Sequence, residues 1–531
     1  MTERHFSLAD LFELVADAVP DRLALVAGSQ RRTFAELDER STRLANYLAA
    51  SGVGAGDKVA IYSWNRVEWI DAMFAAWKAR AVPININYRY VADELRYVLE
   101  NADTRAVVFE RSFAPLVEEV AADLPLLEHR VVLDDGSDAE AGDAVAYEEA
   151  LAAASSDRSG AERSDDDMYM LYTGGTTGMP KGVMWRHEDI FFAAMGGGGF
   201  GEAPIDAPEE IVERIKPEDQ RMIPMVIAPV MHGAAQWGSC IALLAGGTVV
   251  LHTGRHFDPH EIWAIVERER ANMVMVVGDA MARPLAEALD DPGTNHDTSS
   301  VFVVGSGGAV FSTTVKEQLS ERLHNVVIMD SVGASEFGAG GSAAGTDVGL
   351  RFTTDPSMSV LGQDLRPLRP GSGDVGMLAR RGHIPLGYYK DQAKTDATFV
   401  TGPDGVRWST PGDSAMIEAD GTITLLGRGS GCINTGGEKV YPEEVEAALK
   451  SHPDVFDALV VGLPDERFGE RVAAVIAPRP GRAPSLDDIA AHCRTKVAGY
   501  KVPREVCLAE EIGRTPAGKP DYAWAKGLLT R

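Results

Sequence analysis

Strand-like and helix-like patterns alternate along much of this chain. They occupy, in the order strand, helix, strand, helix, strand, residues 58–62, 67–78, 82–84, 92–101 and 106–109. The same alternation returns between residues 301 and 329. Parallel strands can be joined only through a long crossover, which is usually a helix, so this alternation favours parallel sheets covered by helices. The sequence therefore predicts an α/β fold with parallel-rich sheets.

Two helix starts carry possible capping residues. Ser7 is followed three residues later by Asp10, and Thr33 is followed at the same spacing by Glu36. In a capping box the first side chain accepts the N–H of the second residue, and the second side chain accepts the N–H of the first. We therefore expect helices to begin at both places, with the clearer box at Thr33.

The pattern changes near Arg428. Beyond it, Pro442 opens a helix whose first turn contains Glu443, and strand patterns surround that helix. Proline suits the first helical position, and the helix dipole favours an acid there. The remaining length suits a small α+β domain. We therefore predict a large multi-subdomain body over residues 1–427 and a small mobile α+β cap over residues 428–531.

Composition excludes several classes of protein. Of 531 residues, 45% are hydrophobic and 24% are charged, and the formal net charge is −28. An acidic chain of this kind argues against a nucleic-acid partner, because such proteins present a basic surface. No apolar run reaches the about 20 residues that a membrane-spanning helix needs, so no transmembrane segment is expected. The N-terminus does not resemble a signal peptide.

The four cysteines show neither CxxC spacing nor a metal-binding pattern. We therefore expect free thiols and a cytoplasmic protein, because the cytoplasm keeps thiols reduced. The sequence leaves open a homodimer and contact with a membrane surface.

Glycines, two threonines and a lysine crowd residues 172–182, which read YTGGTTGMPKG. The apolar run 168–171 before them predicts a strand that ends there. Glycines let backbone N–H groups turn toward one point, Thr176 and Thr177 add hydroxyl groups, and Lys181 adds a positive charge. Such a surface suits a polyphosphate. The alternative is a flexible surface turn, since a glycine-rich motif alone is a weak signal.

This stretch closely resembles the phosphate-binding signature of the adenylate-forming superfamily, which contains acyl-CoA synthetases, peptide-synthetase adenylation domains and beetle luciferase. Gly174 replaces a serine of the usual signature. The resemblance implies that the chain uses ATP and Mg²⁺, with Lys181 as a catalytic residue and Thr176 as a metal ligand. The implied ATP-binding residues of this stretch are Thr173, Gly175, Thr176, Thr177, Gly178 and Lys181.

Residues 330–336, DSVGASE, resemble a second signature, an aromatic residue followed by Gly-x-Thr-Glu. The resemblance implies that Glu336 is catalytic and ligates Mg²⁺, an ion that prefers carboxylate and phosphate oxygens. Val332 replaces the ring that packs on adenine in relatives, and Ser335 replaces threonine. A helix-start acid on an ordinary loop is the alternative for Glu336. The other implied nucleotide-binding residues here are Ser331, Val332, Gly333 and Ser335.

A third stretch, GSGGA at residues 305–309, follows a predicted strand. In the superfamily such a strand-end loop contacts adenine through its backbone, which implies roles for Gly307, Gly308 and Ala309. Gly305 is assigned to the acid substrate. Clusters of glycine and serine after strands are more often plain turns, so this signal is weak by itself.

Two further residues are implied to bind the ribose or a phosphate. Trp408–Asp413 resembles an aromatic-x-Thr-Gly-Asp signature with a spacing that differs by one. Asp413 would accept hydrogen bonds from the ribose hydroxyl groups, because a carboxylate offers two acceptor oxygens. Arg428 stands at the start of the hinge signature, where its planar guanidinium would reach ribose or phosphate. An Asp in a Pro-Gly turn is the alternative at residue 413.

The resemblance also places residues near the acid and the thiol. Lys519, in RTPAGK, matches the catalytic lysine that the mobile cap carries, although an exposed lysine is usually only solvated. Gly437 and Lys439 match a segment that approaches the thiol acceptor after the cap rotates. His232 and Gly233 match the border of the acid site, with a buried core histidine as the alternative for His232.

The resemblance implies an acyl-CoA synthetase that forms acyl-AMP and pyrophosphate from an acid and ATP, then a thioester with coenzyme A. Details of the sequence resemble bacterial fatty-acid and steroid-side-chain ligases, which implies a medium- or long-chain fatty acid or a bulky steroid-side-chain acid. Small residues at 196–199 are a further hypothesis for the acyl pocket. A fatty acyl-AMP ligase that serves a carrier protein is the runner-up. A peptide-synthetase module, a non-catalytic nucleotide-binding protein and a luciferase-type oxygenase are less favoured.

Overall fold

The computed structural model describes residues 5–175, 178–199, 201–308, 311–344, 351–428, 431, 433–435, 438–465, 469–497, 499–515 and 520–530. Helices and strands are numbered in chain order. The α-helices are α1 (Leu8–Ala18), α2 (Phe34–Ala50), α3 (Val67–Lys78), α4 (Ala92–Asn101), α5 (Ala114–Ala121), α6 (Tyr147–Ala152), α7 (His187–Ala194), α8 (Gly233–Leu244), α9 (Pro259–Glu269), α10 (Gly278–Ala288), α11 (Thr313–Arg322), α12 (Gln392–Thr398), α13 (Pro442–Lys450), α14 (Leu486–Arg494) and α15 (Tyr522–Leu529).

The two predicted helix caps have different outcomes. Thr33 Oγ1 accepts the N–H of Glu36 at 3.2 Å, and Glu36 Oε2 accepts the N–H of Thr33 at 2.8 Å, so α2 opens with the predicted capping box. Ser7 directly precedes α1, but its side chain makes no capping hydrogen bond. Asp10, the predicted partner of Ser7, forms an ion pair with Arg163, with 2.5 Å between Oδ1 and Nη1. The capping prediction at Ser7 is therefore wrong, because a tertiary ion pair engages the Asp10 carboxylate.

Two parallel-rich sheets form the bulk of the N-terminal part. The first has eight strands, in the order β15 (Gly338–Ala344), β14 (Val327–Ala334), β13 (Val303–Gly307), β12 (Met273–Val276), β10 (Pro224–Val226), β11 (Val249–Leu251), β1 (Leu23–Ala27) and β2 (Gln30–Thr33). Its two edge strands β15 and β2 run antiparallel to their neighbours, and the other pairs are parallel. The second is parallel throughout, in the order β4 (Val82–Asn85), β3 (Lys58–Tyr62), β5 (Thr104–Glu110), β6 (His129–Leu133) and β7 (Val145–Ala146).

Two antiparallel sheets adjoin them. The smaller consists of β19 (Gly387–Tyr388), β9 (Gly178–Arg186) and β8 (Met168–Gly175). The larger contains β16 (Arg351–Phe352), β23 (Ile423–Arg428), β22 (Asp413–Ile417), β18 (Gly376–Arg381), β21 (Arg407–Ser409) and β20 (Phe399–Thr401), with β17 (Met358–Leu361) beside β18. The N-terminal part is therefore a mixed α/β structure with parallel-rich sheets, as the sequence predicts.

A separate sheet organises the C-terminal part. Its strands are β25 (Glu438–Val440), β24 (Ile433–Thr435), β27 (Gly469–Pro478) and β26 (Val455–Asp465), with β28 (Glu505–Leu508) parallel to β27. Successive residues of β26 point to opposite faces, so Val460 and Val461 lie in two different apolar clusters. Helices on both faces bury this sheet. The predicted boundary at residue 428, where β23 ends, stays a prediction.

Among the described residues, no helix is both long enough and apolar enough to cross a membrane.

Candidate active site

The glycine- and threonine-rich stretch belongs to a β-hairpin. The sequence predicts that its first strand ends at Leu171, but β8 continues to Gly175 and β9 begins at Gly178. The prediction of the strand end is wrong because β9 also pairs with Tyr172, Thr173 and Gly175 of β8, and this ladder outweighs the weak strand propensity of glycine. Thr176 and Thr177, between the two strands, lie outside the described residues.

Lys181 lies on β9 opposite Thr173 on β8. Its ammonium group forms an ion pair with Asp391, with 2.5 Å between Nζ and Oδ2. This hydrogen bond from Lys181 lowers the pKa of the Asp391 carboxyl group. Nζ also lies 5.9 Å from the centre of the Tyr388 ring. The proposed phosphate lysine is therefore directed by two residues that the sequence analysis does not single out.

Glu336 lies in the turn between β14 and β15. The hydroxyl group of Tyr388 donates to its Oε1 at 2.8 Å, and the Ser409 hydroxyl group donates to its backbone carbonyl. Trp185 Nε1 donates to the carbonyl of Ser335 at 3.0 Å. Strands β9, β19 and β21 therefore hold this turn. Lys181 and Glu336 both contact Tyr388, the lysine over its ring and the carboxylate at its hydroxyl group.

This arrangement fits a magnesium ion bound together with a polyphosphate. Glu336 Oε1 accepts the Tyr388 hydroxyl group, and Oε2 has no hydrogen-bond partner among the described residues. Within those residues no three side chains of His, Cys, Asp or Glu are grouped so as to hold a metal ion. Mg²⁺ is commonly bound through one or two carboxylates, with phosphate and water completing its coordination. One carboxylate beside the predicted phosphate lysine matches that mode.

The two stretches assigned to the adenine base lie side by side. Gly305 and Gly307 are on β13, where Gly307 pairs with Ser331 of β14. Gly308 follows β13 with a φ of +82°, a conformation that favours glycine. Carboxyl ends of neighbouring parallel strands form one edge, which is the usual ligand-binding edge of such sheets. Ala309 lies outside the described residues.

Strand β14 extends further than the sequence predicts and includes Ser331, Val332 and Gly333. The half-buried Val332 packs against a small apolar cluster that includes Phe337. A buried ion pair holds the strand to α11, with 3.1 Å between Lys316 Nζ and Asp330 Oδ2. Burial raises the pKa of the Asp330 carboxyl group, although Lys316 opposes that shift.

Asp413 begins β22 and pairs across the ladder with Arg428 at the end of β23. The two implied ribose-binding residues are therefore neighbours, though the side chain of Arg428 lies outside the described part. Ser409, four residues before Asp413, is the residue that contacts the Glu336 carbonyl. These contacts place the signature Trp408–Asp413 beside Glu336.

His232 is half-buried and directly precedes α8, which begins at Gly233. Asn85 joins this region to the phosphate hairpin, because its side-chain amide donates to the carbonyls of Met231 at 2.7 Å and Tyr172 at 2.8 Å. The predicted acid-site residues therefore lie close to the start of the phosphate stretch.

Three of the four glycines at 196–199 are buried, and Gly196 is exposed. Gly198 is buried at a φ of +69°, and a Cβ atom there would lie 3.0 Å from Ile205 Cδ1 and 3.3 Å from Phe191 Cζ. A large side chain at Gly198 would therefore disturb packing whether or not these glycines line the acyl pocket, which stays a hypothesis.

Several predicted residues lie outside the described part of the chain. This holds for Thr176, Thr177, Ala309, Gly437 and Lys519, and for the side chain of Lys439. Their assigned roles stay predictions.

Sequence reasoning missed Tyr388 and Asp391. They lie in the run Gly387–Asp391, which reads GYYKD, and the clustering of two tyrosines, a lysine and an aspartate is the available signal. This cluster of residues does not show which residues they contact, because Asp391 and its partner Lys181 are 210 residues apart in the chain.

Comparison with known proteins identifies the family of the chain. Residues 12–389 match the model of the AMP-binding enzyme family, and residues 444–519 match the model of the AMP-binding enzyme C-terminal domain. The chain is 49% identical to a 3-oxocholest-4-en-26-oate–CoA ligase of Rhodococcus rhodochrous, over 98% of this chain and 95% of the relative.

It is also 49% identical to a medium/long-chain-fatty-acid–CoA/3-oxocholest-4-en-26-oate–CoA ligase of Mycolicibacterium smegmatis, over 98% of this chain and 96% of the relative. The solved structure of ATP-bound MatB from Rhodopseudomonas palustris has a similar fold, with a TM-score of 0.82 at 26% identity over 98% of both chains. The predicted superfamily and fold class are thereby confirmed, and the chain belongs to the AMP-binding enzyme family.

Proposed function

We propose that the chain is an ATP-dependent acyl-CoA synthetase. It converts a carboxylic acid and ATP into acyl-AMP and pyrophosphate, and then transfers the acyl group to coenzyme A with release of AMP. The observation that carries this proposal is that Lys181 and Glu336, which are distant in sequence, both contact Tyr388, the lysine over its ring and the carboxylate at its hydroxyl group. A cation and a carboxylate beside one residue suit a triphosphate and its metal ion.

The proposed acid is a medium- or long-chain fatty acid or a bulky steroid-side-chain acid. Its support is the names of the Rhodococcus and Mycolicibacterium relatives, which cover almost the whole chain at 49% identity. The same relatives support coenzyme A as the acceptor.

The chemistry explains the residue types at the site. A carboxylate is a poor electrophile, and conversion to acyl-AMP gives it a good leaving group. Its oxygen attacks the α-phosphate and pyrophosphate leaves, so charge builds on phosphate oxygens near Lys181. Preorganised cations at such positions stabilise the transition state. The acid needs no general base because it is already ionised at pH 7.

We place Mg²⁺ at Glu336 and Thr176. When bound, the ion would neutralise phosphate oxygens and help to align them. Lys519 would bridge the carboxylate and the α-phosphate during the first half-reaction. The cap would then rotate about residues 428–431, which moves Lys519 away and brings Gly437 and Lys439 toward the thiol.

We also place the protein in the cytoplasm, which supplies ATP and coenzyme A. Cys240, Cys493 and Cys507 are free, as a reducing compartment would keep them. The homodimer that the sequence leaves open can be measured by light scattering.

The proposal is tested by measuring pyrophosphate release and thioester formation from ATP, Mg²⁺ and a panel of acids, with and without coenzyme A. The panel runs from acetate through long-chain fatty acids to aryl and steroid acids. Thioester that depends on coenzyme A and on fatty or steroid acids is the expected result.

Other outcomes identify the alternatives. Pyrophosphate release without thioester would favour an acyl-AMP ligase that serves a carrier protein. Failure of both reactions with every acid would contradict the synthetase.

A further inference from the structure

A short segment after β18 contacts several parts of the proposed ATP site. It consists of residues 387–391, and we call it the arm. Gly387 pairs with Met184 of β9, and the N–H of Tyr389 donates to the carbonyl of Gly182 at 2.8 Å. The arm therefore lies directly along the strand that carries Lys181.

Asp391 fixes the direction of the Lys181 ammonium group. Its Oδ2 lies 2.5 Å from Nζ, while Oδ1 accepts the N–H of Lys394 at 2.9 Å and so caps α12. A carboxylate held at both oxygens presents its free lone pairs in a defined direction. Lysine has a long flexible side chain, so such a partner reduces the number of positions that Nζ samples.

Tyr388 fixes the Glu336 carboxylate from the other end of the arm. Its side chain is buried, its hydroxyl group donates to Oε1 at 2.8 Å, and its N–H donates to Thr395 Oγ1 at 2.9 Å. A hydrogen bond to a ligating carboxylate orients that carboxylate toward its metal.

The second parallel sheet anchors the middle of the arm. Asp103, which directly precedes β5, accepts the Tyr389 hydroxyl group and the Lys390 ammonium group, each at 2.7 Å. Lys58 Nζ on β3 donates to the same tyrosine oxygen at 3.2 Å. The arm is thus held between the three-stranded sheet and the second parallel sheet, which fixes the position of its end residues.

We propose that the arm is a positioning element of the ATP site, in which Asp391 directs Lys181 and Tyr388 directs Glu336. This inference rests on the proposed function. Asp391 and Tyr388 act through these two groups as positioning residues and need not contact the nucleotide. Misplacement of a reacting or stabilising group by a fraction of an ångström is enough to slow catalysis.

The substitution Asp391→Asn removes the negative charge that pairs with Lys181 but keeps the cap of α12, because asparagine caps a helix about as well as aspartate. We expect the kcat of ATP–pyrophosphate exchange to fall about 10-fold, while the KM for ATP changes less than about 3-fold. A purely structural role would instead lower thermal stability. A kcat within about 2-fold of the wild type would overturn the role of Asp391.

Asp258→Asn is the matched control. Asp258 also caps a helix, α9, by accepting the N–H groups of His260 and Glu261 at 2.9 and 3.2 Å, and it is exposed. We expect this variant to keep wild-type kcat and KM. An equal loss of kcat in both variants would assign the effect to capping and contradict the proposal.

Tyr388→Phe removes only the hydroxyl group that donates a hydrogen bond to Glu336. The measurement is calorimetric binding of a non-hydrolysable ATP analogue at a series of Mg²⁺ concentrations, which requires no turnover. We expect the Mg²⁺ concentration for half-maximal binding to rise about 10-fold, which is the low end of the loss seen when partners of metal ligands are removed. An unchanged Mg²⁺ dependence would overturn the role of Tyr388.

Tyr147→Phe is the control for that experiment. Tyr147 is also buried and donates to a carboxylate, Asp71 Oδ2, at 2.9 Å, but it lies on α6 away from the proposed site. Its Mg²⁺ dependence should match the wild type, and an equal shift in both variants would contradict the proposal.

The binding experiment also separates the arm from the proposed function. A wild-type protein that binds the analogue with Mg²⁺ but activates no acid would contradict the synthetase, while the Tyr388→Phe shift would still test the arm. A wild-type protein that binds no analogue would contradict both.

Discussion

Two charged clusters in this molecule differ in their access to solvent. At the phosphate hairpin, the side chains of Lys181 and Asp391 are 38% and 31% exposed. In the C-terminal part, Lys450 and Asp457 are only 6% and 11% exposed, and their atoms lie 3.0 Å apart. Arg514 joins the same Asp457 at 2.6 Å. One cluster is open to an incoming ligand and the other is closed.

This difference indicates two uses of charge. An ion pair that keeps contact with solvent contributes little to stability, so Lys181 can exchange part of its contact with Asp391 for a phosphate at small cost. A buried group left without its partner costs several kcal/mol, so the Asp457 cluster does not open easily. Arg514 lies five residues before Lys519, and the closed cluster therefore fixes the base of the segment that leads to it.

The largest expected effect is on the closed cluster. Asp457→Ala leaves Lys450 buried without its ion-pair partner and also removes the ion pair to Arg514, so we expect a loss of about 3–5 kcal/mol in the free energy of unfolding of the C-terminal part. Denaturant unfolding measures it. Arg482→Ala, which removes an exposed pair with Asp454 at 3.3 Å, should cost less than about 1 kcal/mol. Equal losses in the two variants would remove the distinction between the clusters.

Substitution in the open cluster should lower activity strongly and stability little. Lys181→Met should lower kcat/KM for ATP–pyrophosphate exchange by about 100-fold, because a preorganised cation is lost from the transition state. Stability should change by less than about 1 kcal/mol, since the pair is only partly buried. The exposed Lys394 on α12 offers a control, and Lys394→Met should retain the exchange activity. A large loss of stability in Lys181→Met would show that the open cluster is structural.

The smallest expected effect is a pH dependence of the closed region. Burial raises the pKa of the Glu446 carboxyl group to about 7, and the ordinary value is 4.5. Between pH 4.5 and about 7, the folded protein keeps a proton on Glu446 that the unfolded chain releases. The free energy of unfolding is therefore highest below pH 4.5 and falls as the pH rises through 7. We expect the free energy of unfolding to fall by about 1–3 kcal/mol over this range.

Unfolding measured at several pH values in Glu446→Gln should lack this fall. The exposed Glu510 provides the comparison, because Glu510→Gln should keep the wild-type slope. A wild-type slope in Glu446→Gln would assign the dependence to other groups.

Local sequence was sufficient where the interacting residues are close in the chain. The capping box of Thr33 and Glu36 needs only residues three apart, and the signature around Glu336 is continuous. The family, the fold class and the reaction class followed from such stretches, and the comparisons support them.

Local sequence failed where a distant residue replaced a near one. Ser7 forms no capping box because Arg163 engages the Asp10 carboxylate. Strand β8 does not end at Leu171 because β9 pairs with Tyr172, Thr173 and Gly175. Asp391 was missed for the same reason, since its partner Lys181 is defined only by the pairing of β19 with β9.

The contacts of Asp103 with the arm have a consequence for building chimeric enzymes. If residues 387–391 were exchanged for those of a relative, the new side chains would meet Asp103, which belongs to a distant part of the chain and would not be exchanged with them. Asp103 and Lys58 form one exchange unit with Tyr389 and Lys390, although more than 280 residues separate Asp103 from them. Crossover points chosen only at sheet boundaries would split this unit, so a working chimera must take both segments from the same parent.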